Sequence, residues 1–372
     1  MESLKLNKDK LIDIIQKVNN LDNSLFTHYS FHNIPIYKNT ISIVMTACNR
    51  SNQVYKTLKT IEQSSFKNIH IIIVDDSDID PIKHSMINGY SFYIDLISIR
   101  LENKNWINPV VNYNIGFKFI KGSKVIIQNS EVCHVGDLIG WVSKYITDNN
   151  YYSFDVKATN SFQSNNEIYK INNLTTNIYS RNDIFKDNIP WYHSRQNITN
   201  YHFLTAMTRN TFNLIKNFSY DYTFGIDWDD NDFVLKIKSK NINIINIFHE
   251  DNNIGGIHLY HTSSYLKWVN IENNNKIFSY KMIYYNKFNK YFDITENNIQ
   301  GYKIYNINDN TNLLKLKNEI LEFSNCNIFI IYNKNKFTKE MNSFHKNISK
   351  KYSTKIIKYK KILILKYYLN NI

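Results

Sequence analysis

The chain has 372 residues, of which 43% are hydrophobic and 15% aromatic, a composition that excludes intrinsic disorder and allows a large core in one or two domains. Its cysteines, Cys48, Cys133 and Cys326, are too far apart for a zinc ribbon or disulfide framework, and no stretch approaches the ~20 apolar residues of a membrane span. The formal net charge of +13 permits a polyanionic partner, but no nucleic-acid recognition motif accompanies it.

Asn, Ile and Lys are abundant while Gly and Pro are scarce, which indicates an AT-rich genome more than a chemical function. The N-terminal residues carry charges throughout instead of the apolar run of a signal peptide, so a cytoplasmic location is expected. The first predicted element is an amphipathic helix, within an N-terminal helical segment over residues 1–38. Its apolar positions recur at helical spacing and are Leu11, Ile14, Ile15, Val18 and Leu21.

From about residue 41 to residue 140, apolar strand patterns alternate with helical ones, which is typical of an α/β protein with a parallel sheet. The strand over 41–45 runs into a loop that contains Thr46, Cys48 and Arg50. Because parallel sheets bind ligands beyond the carboxyl ends of their strands, this loop is a candidate binding segment.

The next buried strand, over 69–74, ends in Asp75 and Asp76, and a third strand, over 124–128, leads into Asn129 and Glu131. Paired acids after a strand also occur in ordinary turns, where Asp caps its own backbone. Three successive strands that end in polar blocks favour a shared ligand site over three unrelated turns.

These three blocks resemble the nucleotide-sugar half of a family 2 glycosyltransferase with the GT-A fold. The resemblance implies that Thr46, Cys48, Arg50, Asp75 and Asp76 contact the nucleotide. It also implies that Asn114 lines the nucleotide pocket, in the block that precedes the next helix.

The third strand-end block departs from the family pattern. Asn129-Ser130-Glu131 stands where the family has a metal-binding Asp-x-Asp, so Glu131 is the carboxylate offered to a divalent ion and Asn129 a weaker ligand. Cys48 stands at the position of the usual base-stacking tyrosine, which leaves stacking on the base unassigned.

A long polar stretch over 155–200 contains Trp191, whose ring either stacks on an acceptor sugar or fixes the loop to the core. Beyond it, the block 224–233 places four carboxylates within six residues, at the first turn of an amphipathic helix. One or two acids would suffice for capping and the helix dipole, whereas clustered acids raise one another's pKa toward the range of a general base.

The acidic block also resembles the Gly-x-x-x-(Glu/Asp)-Asp-x-Asp motif of galactosyl- and N-acetylgalactosaminyltransferases. By position this resemblance makes Asp230 the catalytic base, with Asp229 beside it and Trp228 on the acceptor side. Two histidines three residues apart are a weak metal signal alone, but the same group of transferases places a metal-binding histidine here. His258 and His261 are therefore candidate ligands that join Glu131.

The last quarter of the chain carries strand patterns over 304–307, 327–332 and 362–368 and predicts a small α/β appendage over 300–372. From Lys334 onward it has 11 lysines and one acid, a net charge of +10 out of the total of +13. Apolar residues spaced four, three and four apart, from Phe337 to Ile348, indicate a basic amphipathic helix. That helix packs on its own sheet or contacts an anionic surface.

The sequence thus predicts a GT-A domain over 39–285, with a nucleotide-binding half (39–140) and an acceptor half (141–285). The expected activity is inverting transfer of a hexose from a UDP-linked donor to the hydroxyl of a glycan or other acceptor, with Mn²⁺ or Mg²⁺. The alternatives are a catalytically inactive sugar-nucleotide-binding module and a polyanion-binding protein. A dinucleotide dehydrogenase is disfavoured because no Gly-x-Gly-x-x-Gly follows the first strand.

Overall fold

The computed structural model describes residues 8–31, 39–186, 191–262, 271–291 and 293, together with four strands between residues 302 and 368. It divides into two units, of which one is Asp9–Phe292 and the other combines Met1–Lys8 with Asp293–Ile372. The predicted α/β class is confirmed, because strands and helices alternate through the first unit and its large sheet is covered by helices.

The strands of the first unit are β1 (Phe26–Phe31), β2 (Ile41–Ala47), β3 (Ile69–Asp75), β4 (Tyr93–Ile99), β5 (Lys124–Gln128), β6 (Val132–Val135), β7 (Asn150–Phe154), β8 (Val156–Ala158), β9 (Leu204–Thr208), β10 (Asn243–Ile247) and β11 (Gly255–His258). Its helices are α1 (Lys8–Asn19), α2 (Ser51–Glu62), α3 (His84–Ile87), α4 (Val110–Phe117), α5 (Leu138–Tyr145), α6 (Phe162–Lys170), α7 (Arg209–Ile215), α8 (Asp229–Ser239), α9 (His249–Asn252) and α10 (Ile271–Phe288).

The main sheet has eight strands in the order β1-β4-β3-β2-β5-β9-β7-β10. Its centre is parallel, and every residue of β3 is buried, as a run of β-branched residues covered on both faces requires. Helix α4 packs closely on this centre at Gly116, where a Cβ atom would come within 2.9 Å of the Val44 side chain. The core of the unit therefore lies between the central strands and the helices on their two faces.

The register of the central strands places the three polar blocks at one edge of the sheet. Ala47 at the end of β2 lies opposite Asp75 at the end of β3, and Val44 lies opposite Ile127 near the end of β5. The carboxyl ends of β2, β3 and β5 are therefore neighbours, as the order of strands and helices along the sequence predicts.

A second, three-stranded sheet has the order β6-β11-β8 and connects the nucleotide half to the later part of the chain. In it, β11 pairs antiparallel with β6, so that His258 lies opposite Val132, the residue after Glu131. The N–H group of Leu259 donates to the carbonyl oxygen of Glu131 at 3.0 Å. This sheet therefore brings the predicted histidine block beside the third strand-end block.

The N-terminal segment is only partly as predicted. Helix α1 forms, but Leu21 lies beyond its end, exposed and with a positive φ of 50°. The segment also contributes β1, which pairs antiparallel with β4 at the edge of the main sheet. Its sequence, Phe-Thr-His-Tyr-Ser-Phe, has polar residues at three central positions, so an apolar-run criterion does not detect it.

The second unit contains a four-stranded sheet in the order β12 (Tyr302–Ile307), β13 (Asn327–Asn333), β15 (Ile362–Tyr368), β14 (Ser353–Tyr359). Three of these strands coincide with the strand patterns of the sequence, and β14 was not predicted. The predicted basic helix between Phe337 and Ile348 lies outside the described residues. Among the residues that the structure describes, none of the helices has the length and apolarity needed to cross a bilayer.

Candidate functional site

The predicted metal block forms a compact cluster around one buried carboxylate, here called the Glu131 centre. Glu131 lies in the short connection between β5 and β6, and its Oε1 atom accepts a hydrogen bond from Nη1 of Arg50 at 2.5 Å. The Nε2 atoms of His258 and His261 lie 3.1 and 3.3 Å from the same oxygen. The hydroxyl of Ser130 donates to the other carboxylate oxygen at 3.0 Å.

Burial alone would raise the pKa of Glu131, but the charge of Arg50 and the hydrogen bonds from His258 and His261 outweigh it and hold that pKa well below its ordinary value. Glu131 is therefore ionised throughout the physiological range. Burial lowers the pKa of His258, against the opposing effect of Glu131. His258 is thus neutral near pH 7, which is the form that coordinates a metal ion.

The ligand atoms of Glu131, His258 and His261 all lie within 4.8 Å of one another. One carboxylate oxygen and two imidazole nitrogens are a donor set that suits Mn²⁺, Fe²⁺ or Zn²⁺ better than Mg²⁺, which prefers oxygen ligands. The residues therefore fit a divalent ion, provided that Arg50 moves from the oxygen that the two imidazoles face. Arg50 has room to do so, since a quarter of its side chain is exposed.

The predicted ligand Asn129 lies one residue before this cluster. Its side-chain oxygen accepts a hydrogen bond from the hydroxyl of Tyr113 at 3.4 Å. The assignment of Asn129 to a metal stays a prediction, and the contact gives its oxygen an alternative role.

The two predicted nucleotide acids have different partners. Both carboxylate oxygens of Asp75 are used inside the loop that follows β3, where they accept from the N–H groups of Ser77 at 3.1 Å and Ile82 at 2.8 Å. Asp75 therefore holds the loop, which agrees with the turn interpretation of this motif. Asp76 instead pairs with Lys104, whose Nζ lies 2.5 Å from Oδ2.

Sequence reasoning missed Lys104. Its signal was available, because Lys104 follows β4 and the carboxyl end of β4 lies at the same sheet edge as those of β2 and β3. A lysine at this edge provides a positive charge beside the predicted nucleotide loop.

The loop between β2 and α2 is tied to the loop after β3. Asn49 has a positive φ of 55°, and its side-chain oxygen accepts from the N–H groups of Ile79 and Asp80 at 2.9 and 3.0 Å. Asp80 in turn accepts from the N–H group of Ser51 at 2.9 Å, at the start of α2. The two loops form one ordered wall, in which Cys48 is exposed and Arg50 turns toward Glu131.

Asn114 lies buried on α4, and its amide makes two hydrogen bonds with the backbone of Phe218. Nδ2 donates to the Phe218 carbonyl at 3.0 Å, and Oδ1 accepts from the Phe218 N–H group at 2.9 Å. These bonds fix the orientation of the amide, and its contact with a nucleotide stays a prediction.

The acidic block begins α8 as predicted, and its two candidate catalytic residues have different environments. Nδ2 of Asn108 donates to Oδ1 of Asp229 at 3.1 Å. Oδ1 of Asp230 lies 2.6 Å from Nδ1 of His202, a buried histidine that sequence reasoning missed. The only sequence signal for His202 was a single histidine two residues before β9.

Burial and the neighbouring charge of Asp230 raise the pKa of Asp229 from its ordinary value of 3.8 to about 7. Burial by itself lowers the pKa of His202, but the carboxylate of Asp230 outweighs it and raises that pKa overall. A carboxyl group that titrates near neutral pH beside an ion-paired carboxylate is what proton transfer at neutral pH requires.

The backbone before α8 is strained. Asp227 and Trp228 have φ values of 63° and 71°, in the left-handed region that costs a residue other than glycine about 1 to 3 kcal/mol. Nδ2 of Asn274 on α10 donates to the carbonyl groups of Ile226 and Asp227 at 3.0 and 3.2 Å. A Cβ atom at Gly225 would lie 2.7 Å from the side chain of Asn274, so glycine is needed for this approach. Helix α10 thus holds the turn that aims Asp229 and Asp230.

Asp232, the third acid of α8, faces away from this pair. Its carboxylate accepts from the hydroxyl of Tyr291 at 2.5 Å and lies 3.3 Å from Nζ of the buried Lys281. Asp232 therefore fixes α8 to α10.

Tyr113 connects the acidic pair to the Glu131 centre. Its hydroxyl donates to the carbonyl of Gln128 at 2.9 Å, and its ring packs edge-on against His202 at 5.1 Å. Burial raises the pKa of Tyr113, and the charges of Glu131, Asp229 and Asp230 add to that rise. Tyr113 therefore contacts both the strand end that precedes Glu131 and the histidine that pairs with Asp230.

The two predicted acceptor-side tryptophans lie in different settings. Trp191 is 53% exposed, and its neighbour Tyr192 packs on His258 with ring centroids 5.0 Å apart. Trp228 stacks one face on Phe278 of α10 at 5.3 Å. Trp191 thus has an exposed ring near the Glu131 centre, whereas Trp228 has one face already covered.

Residues 42–218 match the family model described as "Glycosyl transferase family 2". The match covers a little under half of the chain and contains the strand-end blocks, Arg50 and Glu131. It ends before the acidic block and before His258. Together with the sheet order, the match confirms the predicted fold class, an α/β fold of the GT-A type with a large sheet flanked by helices.

Several solved structures share this overall arrangement at low similarity. TarS of S. aureus is 13% identical with a TM-score of 0.41, over 59% of this chain and 37% of that one. Residues 1–349 of TarS in complex with UDP-GlcNAc are 12% identical with a TM-score of 0.41, over 62% of this chain and 61% of that one. The mannosyltransferase PcManGT of Pyrobaculum calidifontis, in complex with GDP-Man and Mn²⁺, is 11% identical with a TM-score of 0.37, over 70% of this chain and 68% of that one. The chain thus spans less than two thirds of the TarS chains, and similarity at this level says nothing about substrate. No curated protein sequence matches the chain.

Proposed function

We propose that the chain is a glycosyltransferase that moves a sugar from a UDP-linked donor to an acceptor hydroxyl with inversion at the transferred carbon. The observation that carries this proposal is the pairing of two clusters across Tyr113. One is the Glu131 centre beside the nucleotide loops, and the other is the acidic pair on α8. The family match over residues 42–218 supports the same reaction class.

The Glu131 centre is suited to a diphosphate. Arg50 and Lys104 supply positive charge at the sheet edge, where Thr46 lies near the end of β2 and Asp76 follows β3. A divalent ion held by Glu131, His258 and His261 would stabilise the negative charge that develops on the leaving nucleotide. When a donor binds, its diphosphate offers Arg50 a second anionic partner besides Glu131, and the guanidinium can contact both.

The acidic pair is suited to activating the acceptor. Asp230 would take the proton from the attacking hydroxyl, and His202 at 2.6 Å orients its carboxylate. With the base on the acceptor side and the diphosphate on the Glu131 side, one in-line displacement inverts the sugar carbon. Trp191, exposed at the edge of the site, offers a ring face to a sugar acceptor.

We expect UDP with Mn²⁺ to stabilise the protein against heat. At about 100 times its dissociation constant a ligand adds about 2.7 kcal/mol, which corresponds to a rise of roughly 5 °C in Tm. Differential scanning fluorimetry with UDP, GDP and ADP, each with Mn²⁺ or EDTA, measures this shift. A shift with GDP but not UDP would contradict the donor assignment, and a UDP shift that survives EDTA would contradict the metal requirement.

The transfer rate is expected to fall as the pH drops through about 7. Asp229 then takes up a proton, and Asp230 loses the neighbouring negative charge that supports it as a base. Asp229→Asn should remove this midpoint from the pH profile of UDP release.

Because the folded pKa of Asp229 lies above 3.8, its contribution to stability is present below pH 4 and is lost as pH rises through about 7. Asp229→Asn should therefore stabilise the fold more at pH 8 than at pH 5, and an unchanged midpoint would refute this role.

Two alternatives make different predictions. An inactive sugar-nucleotide-binding module would show the thermal shift with UDP but release no UDP from any nucleotide sugar. A polyanion-binding protein would depend on residues 334–372, most of which lie outside the described residues.

A further inference from the structure

A second cluster of potential metal ligands lies apart from the Glu131 centre and takes no part in the proposed reaction. It is built on Asp155, the residue between β7 and β8, whose side chain is buried. Oδ2 of Asp155 accepts from the N–H group of His249 at 2.8 Å and lies 2.6 Å from Nδ1 of the same residue. Oδ1 is also buried but has no hydrogen-bond partner.

His193 faces that unpartnered oxygen. It is 1% exposed, neither ring nitrogen has a hydrogen-bond partner, and Nε2 lies 3.9 Å from Oδ1 of Asp155. Buried polar atoms in proteins almost always have a partner, and an unsatisfied group indicates a bound water or ion. Two unsatisfied groups that face each other at 3.9 Å are too far apart to satisfy each other, and a bound cation would satisfy both.

Three of the ligand atoms already lie close together, because those of Asp155, His249 and Glu250 are all within 4.8 Å of one another. In a tetrahedral site with bonds of 2.0 to 2.1 Å, neighbouring ligand atoms lie about 3.3 Å apart. His193 lies 3.9 Å from the other oxygen of Asp155, so a shared ion requires its ring to move toward His249. Glu250 offers a fourth ligand, because its Oε2 lies 3.3 Å from Nδ1 of His249. It is half exposed and also lies 3.5 Å from Arg195, so it is the outermost of the four.

We propose that Asp155, His193, His249 and Glu250 form a structural zinc site. Two imidazoles and two carboxylates favour Zn²⁺ over Mg²⁺ or Ca²⁺, and four protein ligands are typical of a closed structural site. The site anchors the short segment Trp191–His193 to the junction of β7 and β8. Since Tyr192 in this segment packs on His258, the zinc ion fixes one wall of the Glu131 centre without touching substrate.

The test is zinc binding by the full-length protein after chelator treatment, followed by elemental analysis and by the visible absorption of the Co²⁺-substituted form. The comparison is between the wild type, His193→Gln and His261→Gln, the last of which removes a ligand of the Glu131 centre instead. We expect His193→Gln to lose one zinc ion per chain both alone and when combined with His261→Gln, which removes any zinc bound at the Glu131 centre. The loss of affinity should exceed the ~10- to 100-fold that removal of an outer partner of a metal ligand typically costs.

Hydrogen exchange gives a second readout in the wild type alone. The N–H group of Val156 donates to the carbonyl of His193 at 3.0 Å, so its exchange should slow when zinc is added. His249→Gln, at a half-buried position, replaces His193→Gln if that variant does not fold. The proposal is wrong if the chelated wild type takes up no zinc, or if both the His193 and His249 variants bind as much zinc as the wild type.

Discussion

Replacing Asp230 with asparagine is expected to lower the rate of sugar transfer by at least ~100-fold, the lower end of the usual contribution of a general base. Asparagine keeps the size of the side chain and its place in the first turn of α8, but it cannot accept the proton of the acceptor hydroxyl. Nucleotide binding should stay nearly unchanged, because Asp230 lies on α8 and is not among the residues proposed to contact the nucleotide. The measurement is UDP release under single-turnover conditions, with binding followed separately by calorimetry.

The stability of this variant depends on pH through His202. Asp230 raises the pKa of the buried His202, so this pair stabilises the wild type at low pH and its contribution is lost as the pH rises through the raised pKa. Binding and melting are therefore best compared at pH 8. Asp13→Asn, at an exposed position on α1, is the matched control and should behave as the wild type. If donor binding falls in proportion to activity, Asp230 is a binding residue. If the transfer rate stays near that of the wild type, Asp229 is the base instead.

Replacing Glu131 with glutamine is expected to abolish metal-dependent nucleotide binding and to destabilise the fold by about 3 to 5 kcal/mol, the usual cost of breaking a buried ion pair. The reason is that Arg50 at 2.5 Å and the two histidines all face one oxygen of this carboxylate. A neutral amide leaves the partly buried Arg50 guanidinium without its anionic partner. Urea denaturation and Mn²⁺ titration measure the two effects separately.

Two further variants distinguish lost binding from lost stability. His261→Gln alters the more exposed ligand and should weaken Mn²⁺ binding with little change in stability. Asn129→Asp should strengthen Mn²⁺ binding by adding an anionic oxygen next to the cluster. Glu167→Gln, at an exposed position on α6, is the matched control. Unchanged Mn²⁺ affinity in Glu131→Gln would favour a metal-free mechanism, in which Arg50 and the histidines alone stabilise the leaving group.

The sequence could predict which residues stand at strand ends, because that depends on local periodicity. The blocks after β2, β3 and β5 and the start of α8 were located in this way, and the sheet order brings the first three together. Local patterns do not show which side chains from different loops come into contact. The contact of Arg50 with Glu131 joins residues 81 positions apart, and the Asp76 to Lys104 pair joins two separate strand ends.

The missed residues share a physical cause. His202 and Asn274 act through a single partner each, Asp230 and the turn before α8, and neither belongs to a repeating pattern. β1 was missed because an edge strand with polar residues lacks the apolar run by which central strands are recognised. For Asn114, local patterns did not reveal the two hydrogen bonds that its amide makes with the Phe218 backbone, and its nucleotide contact stays a prediction.

The turn before α8 is held by a part of the chain that is synthesised later than the turn itself. Asn274, which donates to the carbonyl groups of Ile226 and Asp227, lies 45 residues after Asp229 in the sequence. Under the proposed function, the backbone that aims the two acids therefore gains this support only after α10 has formed.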